Sequence, residues 1–301
     1  METNTLFNLK KIRSFGDILS DTFTYYRVYW RSMAKAFSVF VFAPLIVGVI
    51  LFGGSFALLF QNVDVMVDSG GFGAFGLSFF LGISLVVIAI IMLVAVTYQH
   101  IRHASLGEIP ETLSEFSRGM FGKLFHIIIA SILMTFVFVV LILVFMGIVS
   151  SLGEPVVVAI LITAFYIFLF FVFTRLALYP VVLFIEDGNI SNAIMRSWTL
   201  TSNYFWFTFG VYFVIGIVFA VLSMLASIPL GILSGLLTFI FGADFQENIG
   251  LIIGAAYASF YFVQALASSA QFIALGIHYF NLVERKEGGG LATEIDRLGI
   301  S

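Results

Sequence analysis

Residues Gly188 to Trp206 read GNISNAIMRSWTLTSNYFW, a polar-looking segment between two long apolar runs. Ile190, Ile194, Trp198 and Phe205 recur at helical spacing, while Ser191, Asn192, Arg196, Thr199 and Asn203 fill the opposite face. The stretch therefore reads as a helix lying on a membrane surface. Trp198, Tyr204 and Trp206 suit the headgroup layer, where an aromatic body is buried and its polar edge stays wet. A polar loop joining two spanning helices is the alternative, because a spacing match over so few turns is weak evidence. Two similar stretches elsewhere in the chain favour the surface helix.

Working outward, the flanking runs set the class. The chain is 61% hydrophobic and only 10% charged, with 37 Phe in 301 residues, whereas about a quarter of the residues of a soluble domain are charged. The fold class is all-α, a polytopic membrane protein. The apolar runs are long enough for spanning helices and lack the alternation of a barrel. Cysteine is absent, which excludes disulfides and thiolate metal sites.

Met1 to Ser14 has no apolar core of signal-peptide length, so no cleaved targeting segment is expected. Phe15 to Met33 reads as the first surface helix, with Phe15, Ile18, Leu19, Phe23, Tyr26, Trp30 and Met33 on its apolar face. Asp17 near its start and Arg31 near its end suit the helix dipole. Ala36 to Phe60 is the first span, bent by Pro44, and Leu77 to Gln99 the second. His100 to Met120 holds the second surface segment, with Pro110 at a first helical position. Leu124 to Leu152 and Pro155 to Tyr179 form a hairpin of two spans about the turn at Gly153, Glu154 and Pro155. The fifth span is expected from Tyr204 to about Ser227, followed by a short, partly buried segment after a break near Pro229. The sixth runs from Asn248 to about Tyr279 and projects beyond the bilayer.

Charge placement supports six spans. All 14 Lys and Arg fall in or beside the N-terminal segment, the 98–123 link, the 175–203 link or the C-terminal tail, and the other three loops hold only Asp64, Asp68, Glu154, Asp244 and Glu247. Basic residues flanking spans accumulate on the cytoplasmic side, so both termini are expected there. A repeat also emerges: Tyr98, Tyr179 and Tyr279 each precede a glycine, Gly107, Gly188 and Gly288, by nine residues. One membrane domain, 1–301, thus divides into three parallel repeats of one surface helix plus two spans, 15–107, 108–188 and 189–288, with a cytoplasmic tail at 289–301. Parallel units imply an approximate three-fold axis along the membrane normal, with the sixth span beside the first.

Ser191 to Trp206 and the ending HYFNLVERKEGGGLATEID, His278 to Asp296, resemble the six-span membrane domain associated with bacterial glycerophosphodiester phosphodiesterases, and still more its stand-alone uncharacterised relatives. The matching positions are Ala193 to Leu200, Arg175, Pro180, Tyr279 and Arg285 to Gly288. The likeness covers the second half of the chain, and the first half only through the general layout. The resemblance implies the fold and a bacterial inner-membrane location; with no soluble phosphodiesterase domain here, it implies no enzymatic activity.

Chemistry-bearing motifs are scarce. No phosphate loop, nucleophile elbow or zincin helix is present, and no carboxylate lies deep in a span. His100 and His103 with Glu108 and Glu111 read as solvated polar residues at a membrane edge, His126 as an interfacial histidine, and Glu284 and Glu287 as a solvated helix end, so no metal or cofactor is expected. Arg175 is the one charge embedded in a span: it either snorkels to headgroups or faces the bundle. In the second case it meets the polar face of the sixth span, Gln264, Ser268, Gln271 and His278, to bind a lipid phosphate or form a structural polar cluster. Gly250, Gly254 and Ala258 favour close packing of that span. Two functions follow: a non-enzymatic scaffold or assembly partner in a membrane complex, or a carrier or flippase for a lipid or small amphiphile. The expected partners are membrane lipids and a cytoplasmic protein, with no nucleic acid.

Overall fold

The structure, a computed structural model, describes residues 7–61, 71–152, 154–240 and 245–288, with the side chains of 56–61, 71, 72, 74, 226, 230, 233, 234, 237, 238 and 245–259 outside that description. The expected loop acids Asp64, Asp68 and Asp244, Gly153 and the 289–301 tail also lie outside the described residues, as do the Glu247 side chain and the surroundings of Gly250, Gly254 and Ala258. Among the described residues there is no strand. Six helices are long and apolar enough to cross a membrane, which makes the chain an integral membrane protein by length and composition.

Helix α1, Phe15–Phe37, starts at a capping box in which Ser14 and Asp17 each bond the other's backbone N–H. It runs without a loop through a π-helical segment, Ser38–Phe42, into α2, Ala43–Gln61, so the expected surface helix and first span are joined. Pro44 explains the segment. Its missing N–H and its ring break the ordinary i to i−4 ladder, and the wider turn, closed by the Ala43 N–H on the Ser38 carbonyl, accommodates it. Next come α3, Gly71–Leu106, and α4, Leu113–Phe116. The second surface segment is thus reduced to one turn, capped by Thr112 and with Pro110 outside it, because 100–106 continue the second span. Helices α5, Met120–Ser150, and α6, Pro155–Leu176, form the hairpin. The chain then breaks before α7, Tyr179–Ile185, follows the quoted stretch as α8, Ile190–Thr201, and enters α9, Phe205–Ile240, and α10, Phe245–Glu287. Pro229 lies inside α9, so the expected break there does not occur.

Spanning helices pack in the order α2, α3, α5, then α6, α9, α10, and α10 returns against α2 to close a ring. The ring is uneven. α10 also packs on α3, whereas α5 and α6 meet through stacked rings, Phe138 on Phe173 at 4.7 Å and Phe145 on Phe165 at 4.1 Å. Between α2 and α3 the backbones nearly touch: a Cβ at Gly82 would lie 2.5 Å from the Phe52 nitrogen and 2.9 Å from the Gly48 carbonyl oxygen. Small residues permit such closeness where dispersion and not hydrophobicity drives helix association.

The core is concentrated at one end of the bundle. Buried side chains gather on α1, on α3 from Leu93 to Ala104, on α7, and on α10 from Ala270 to Leu282. By contrast α5 buries only Met120, Leu124, Ile127 and Ala130, and α6 only Thr174. The C-terminal turns of α10 lie in a collar of α1, α7, α8 and the 7–13 segment. Two amphipathic faces are rotated from those expected. On α1 the buried set is Ile18, Thr22, Tyr25, Tyr29, Met33, Ala36 and Phe37, while Phe23 and Trp30 are exposed. On α8 Ala193, Ser197, Leu200 and Thr201 turn inward and Trp198 outward. Beside a bilayer the most apolar face is satisfied by lipid, and the face with hydroxyls must find partners in protein.

Candidate functional site

A cavity of about 920 Å³ occupies the gap that the α5–α6 hairpin leaves within the ring. Residues from α3, α5, α6, α7, α9 and α10 line it, and rings dominate the wall, including Phe138, Phe170, Phe209 and Phe272. At its collar end stand Tyr98, Tyr179 and Tyr212. Three of its hydroxyls have local partners: Thr174 donates to the Phe170 carbonyl at 2.9 Å, and Ser131 pairs with Tyr179 at 3.3 Å. Among the described residues no Asp, Glu, Lys or Arg lines it. Along α5 the lining runs from Ile127 to Ile142, about 22 Å of helix at about 1.5 Å per residue.

Arg175 is not part of this cavity. Its guanidinium carbon lies over the rings of Phe171, Trp198 and Phe205 at 5.1, 5.4 and 5.7 Å, and Nη1 donates to the Trp198 carbonyl at 3.4 Å. The Ser197 hydroxyl donates back to the Arg175 carbonyl at 2.7 Å. Arg175 therefore fastens α6 to α8. The expected partners lie elsewhere: Gln264 is exposed, Ser268 and Gln271 are half-buried, and His278 is fully buried with Nε2 3.0 Å from Thr208 Oγ1. Gln271 rests against Gly216 of α9. The structure thus does not bring Arg175 together with the polar stripe. Arg175→Ala is expected to lower stability by about 1 kcal/mol, the scale of a partly exposed cation–π contact, and melting of the variant checks this.

The polar chemistry is richest in the collar. Asp187, left-handed at φ 53°, bridges Arg102 at 2.7 Å and Lys123. Burial would raise the Asp187 carboxyl, but the hydrogen bonds and charges of Lys123 and Arg102 outweigh it and hold the pKa below the usual value. Glu186 accepts from Tyr279 Oη at 2.7 Å and from Arg196 Nε at 2.9 Å, and Arg196 also pairs with Glu287 at 2.5 Å. For Arg196 burial acts downward, yet these two carboxylates raise its pKa. Glu284, expected in solvent, is buried. His100 is also buried, with Nδ1 2.6 Å from Tyr25 Oη and Nε2 2.8 Å from Ser32 Oγ. His103 instead faces Gln99 and the Phe116 carbonyl. His126 is exposed, with Nδ1 2.7 Å from the Gly122 carbonyl. Among the described residues no group of three or more His, Asp and Glu is placed to hold a metal ion.

Of the expected repeat landmarks, Tyr98 and Tyr279 lie about two turns inside α3 and α10, and Gly107 and Gly288 follow the ends of those helices. Tyr98 and Tyr279 are buried, and Gly107 (φ 75°) and Gly288 (φ 64°) close α3 and α10 in the left-handed region that glycine adopts without strain. At the third expected pair Tyr179 opens α7, and Asp187, one residue before Gly188, takes the left-handed turn. Comparison of the chain with protein-family models, with curated proteins and with solved structures finds no match. Sequence reasoning missed the phenyl-lined cavity, because Phe is spread through every span, and missed Arg13, Glu186 and Asp187, which read as ordinary link charges.

Proposed function

We propose that the chain is a non-enzymatic scaffold of a membrane complex that holds the hydrocarbon chain of a lipid between its spans. The apolar cavity carries this reading. Its size, about 920 Å³, lies in the range of small-molecule sites, about 300–1,000 Å³. Its uncharged wall suits a hydrocarbon chain. A headgroup crossing it would be desolvated without a partner, at a cost of several kcal/mol or more. The carrier reading through Arg175 loses its support for the same reason, and because the sixth-span stripe is elsewhere.

The partition of basic residues supports placing both termini, and the collar with them, on the cytoplasmic side. A protein partner would then dock on that side, and the resemblance to the phosphodiesterase-associated membrane domain supports a bacterial inner membrane. Three parallel units, 15–107, 108–188 and 189–288, accord with the closed ring and with the left-handed turns at Gly107, Asp187 and Gly288. In this reading the middle unit has moved outward and opened the cavity.

Filling the cavity tests the proposal. Val94 and Thr135 line it from α3 and α5. Val94→Trp with Thr135→Trp is expected to abolish co-purification of a lipid seen by native mass spectrometry with the wild type, with little change in melting temperature. A wild type that emerges without lipid, or a filled variant that still retains it, overturns the reading.

A further inference from the structure

A second cleft, of about 500 Å³, opens on the outer side of the collar between α1 and the link from α3 to α4. Its floor is already satisfied. Ser32 Oγ donates to the Tyr29 carbonyl at 3.1 Å, so it accepts from His100 Nε2, and His100 Nδ1 accepts from the Tyr25 hydroxyl. The rim is not. Arg31 and Lys35, one turn apart on α1, are exposed and form no ion pair among the described residues; the same holds for Glu111, on the facing link. Ile109, Leu113 and Phe116 supply an apolar side to the same cleft. Next to it Trp30 is exposed, its ring under the Arg31 guanidinium at 5.6 Å. Aromatic residues of this kind collect at the headgroup level.

We propose that this cleft binds a zwitterionic phosphate ester bearing an amine, of the phosphoethanolamine type. Arg31 and Lys35 hold the phosphate oxygens, Glu111 receives the ammonium, and the apolar side takes the first carbons attached to the phosphate. Two cations on α1 stand opposite one carboxylate on the link, so each charge of the zwitterion meets its opposite at the rim, the phosphate on one side and the ammonium on the other, a match of position and not of net charge. An anionic ester without the amine leaves Glu111 facing a negative ligand. The site is separate from the apolar cavity and does not rest on it.

The test titrates the full-length protein in detergent with dihexanoyl phosphatidylethanolamine and dihexanoyl phosphatidylglycerol, read by native mass spectrometry. The wild type is expected to prefer the ethanolamine lipid. Arg31→Gln with Lys35→Gln should weaken both by about ten-fold, the equivalent of one charge-assisted hydrogen bond. Glu111→Gln should erase the preference by weakening the ethanolamine lipid alone. All three positions are exposed, and a matching melting temperature confirms folding. Val94→Trp with Thr135→Trp should keep the preference, so the two sites succeed or fail separately. Equal binding of both lipids by the wild type, a preference that survives Glu111→Gln, or no effect of the double substitution overturns the proposal. Free O-phosphoethanolamine that displaces the lipid at equal concentration assigns a soluble ligand of this chemistry; failure to compete while the lipid binds assigns the lipid.

Discussion

Arg13→Met is expected to cost about 3–5 kcal/mol, the scale for removing one partner of a buried charged network, and to leave little monodisperse protein after extraction. The Arg13 side chain has no solvent exposure. Its Nε donates to Asp21 at 2.7 Å, Nη1 to the carbonyls of Leu9 at 2.6 Å and Lys11 at 3.1 Å, and Nη2 to the carbonyl of Asn8 at 2.5 Å. The backbone on either side is tied to α10, since the Arg13 N–H donates to Asn281 Oδ1 at 2.8 Å and the Arg13 carbonyl accepts from Arg285 at 2.7 Å. Burial lowers the pKa of the guanidinium, with the hydrogen bond and charge of Asp21 and the charge of Asp17 acting upward, and an arginine so placed stays protonated. Arg13→Lys should fail almost as badly, because one ammonium with three protons cannot serve this fork of four acceptors. Lys11→Met is the control: Lys11 also pairs with Asp21, but its side chain is 46% exposed, and the change should cost under about 1 kcal/mol. Melting in detergent separates the cases. An Arg13→Met protein as stable as the wild type would mean that the 7–13 segment is not part of the collar's stability.

Gly82→Leu is expected to be the second most damaging change, at about 3 kcal/mol, the upper end of the usual overpacking range. The atoms its Cβ would meet belong to backbone, the Phe52 nitrogen at 2.5 Å, its Cα at 2.9 Å and the Gly48 oxygen at 2.9 Å, so no rotamer change relieves the clash. Helices α2 and α3 must move apart instead. Even Gly82→Ala carries the offending carbon. Gly122→Ala gives the contrast, because a Cβ there meets nothing within 4 Å, and alanine gains about 1 kcal/mol over glycine in a helix. Equal melting temperatures for Gly82→Ala and the wild type would show that the two helices are not held at this distance.

Length and apolarity made the spanning helices legible, and the basic residues marked the collar end of the bundle. The capping box at Ser14 was half visible through Asp17. Helix faces were less legible. Periodicity finds the greasy side of α1, with Phe23 and Trp30, but a helix beside lipid turns that side outward and directs Tyr25 inward to His100. The candidate cluster failed for a related reason. Spacing along α10 puts Gln264, Ser268, Gln271 and His278 on one face, yet says nothing about which helix stands opposite. Arg175 met the aromatic rings of α8 and α9 because α6 sits beside them and away from α10. The cavity depends on how far one hairpin stands from its neighbours, a distance that no local pattern encodes.

The hairpin's shallow attachment bears on how the protein meets membranes of different thickness. α10 is one rod of 43 residues whose end is fixed in the collar, and α2 and α3 are locked at Gly48 and Gly82. None of these can tilt alone. Beyond Ala130, α5 buries no described side chain, so α5 and α6 are the spans free to lean when the hydrocarbon layer thins or thickens. Leaning moves Phe138 and Phe173, two walls of the apolar cavity, so that bilayer thickness becomes a variable that sets its volume.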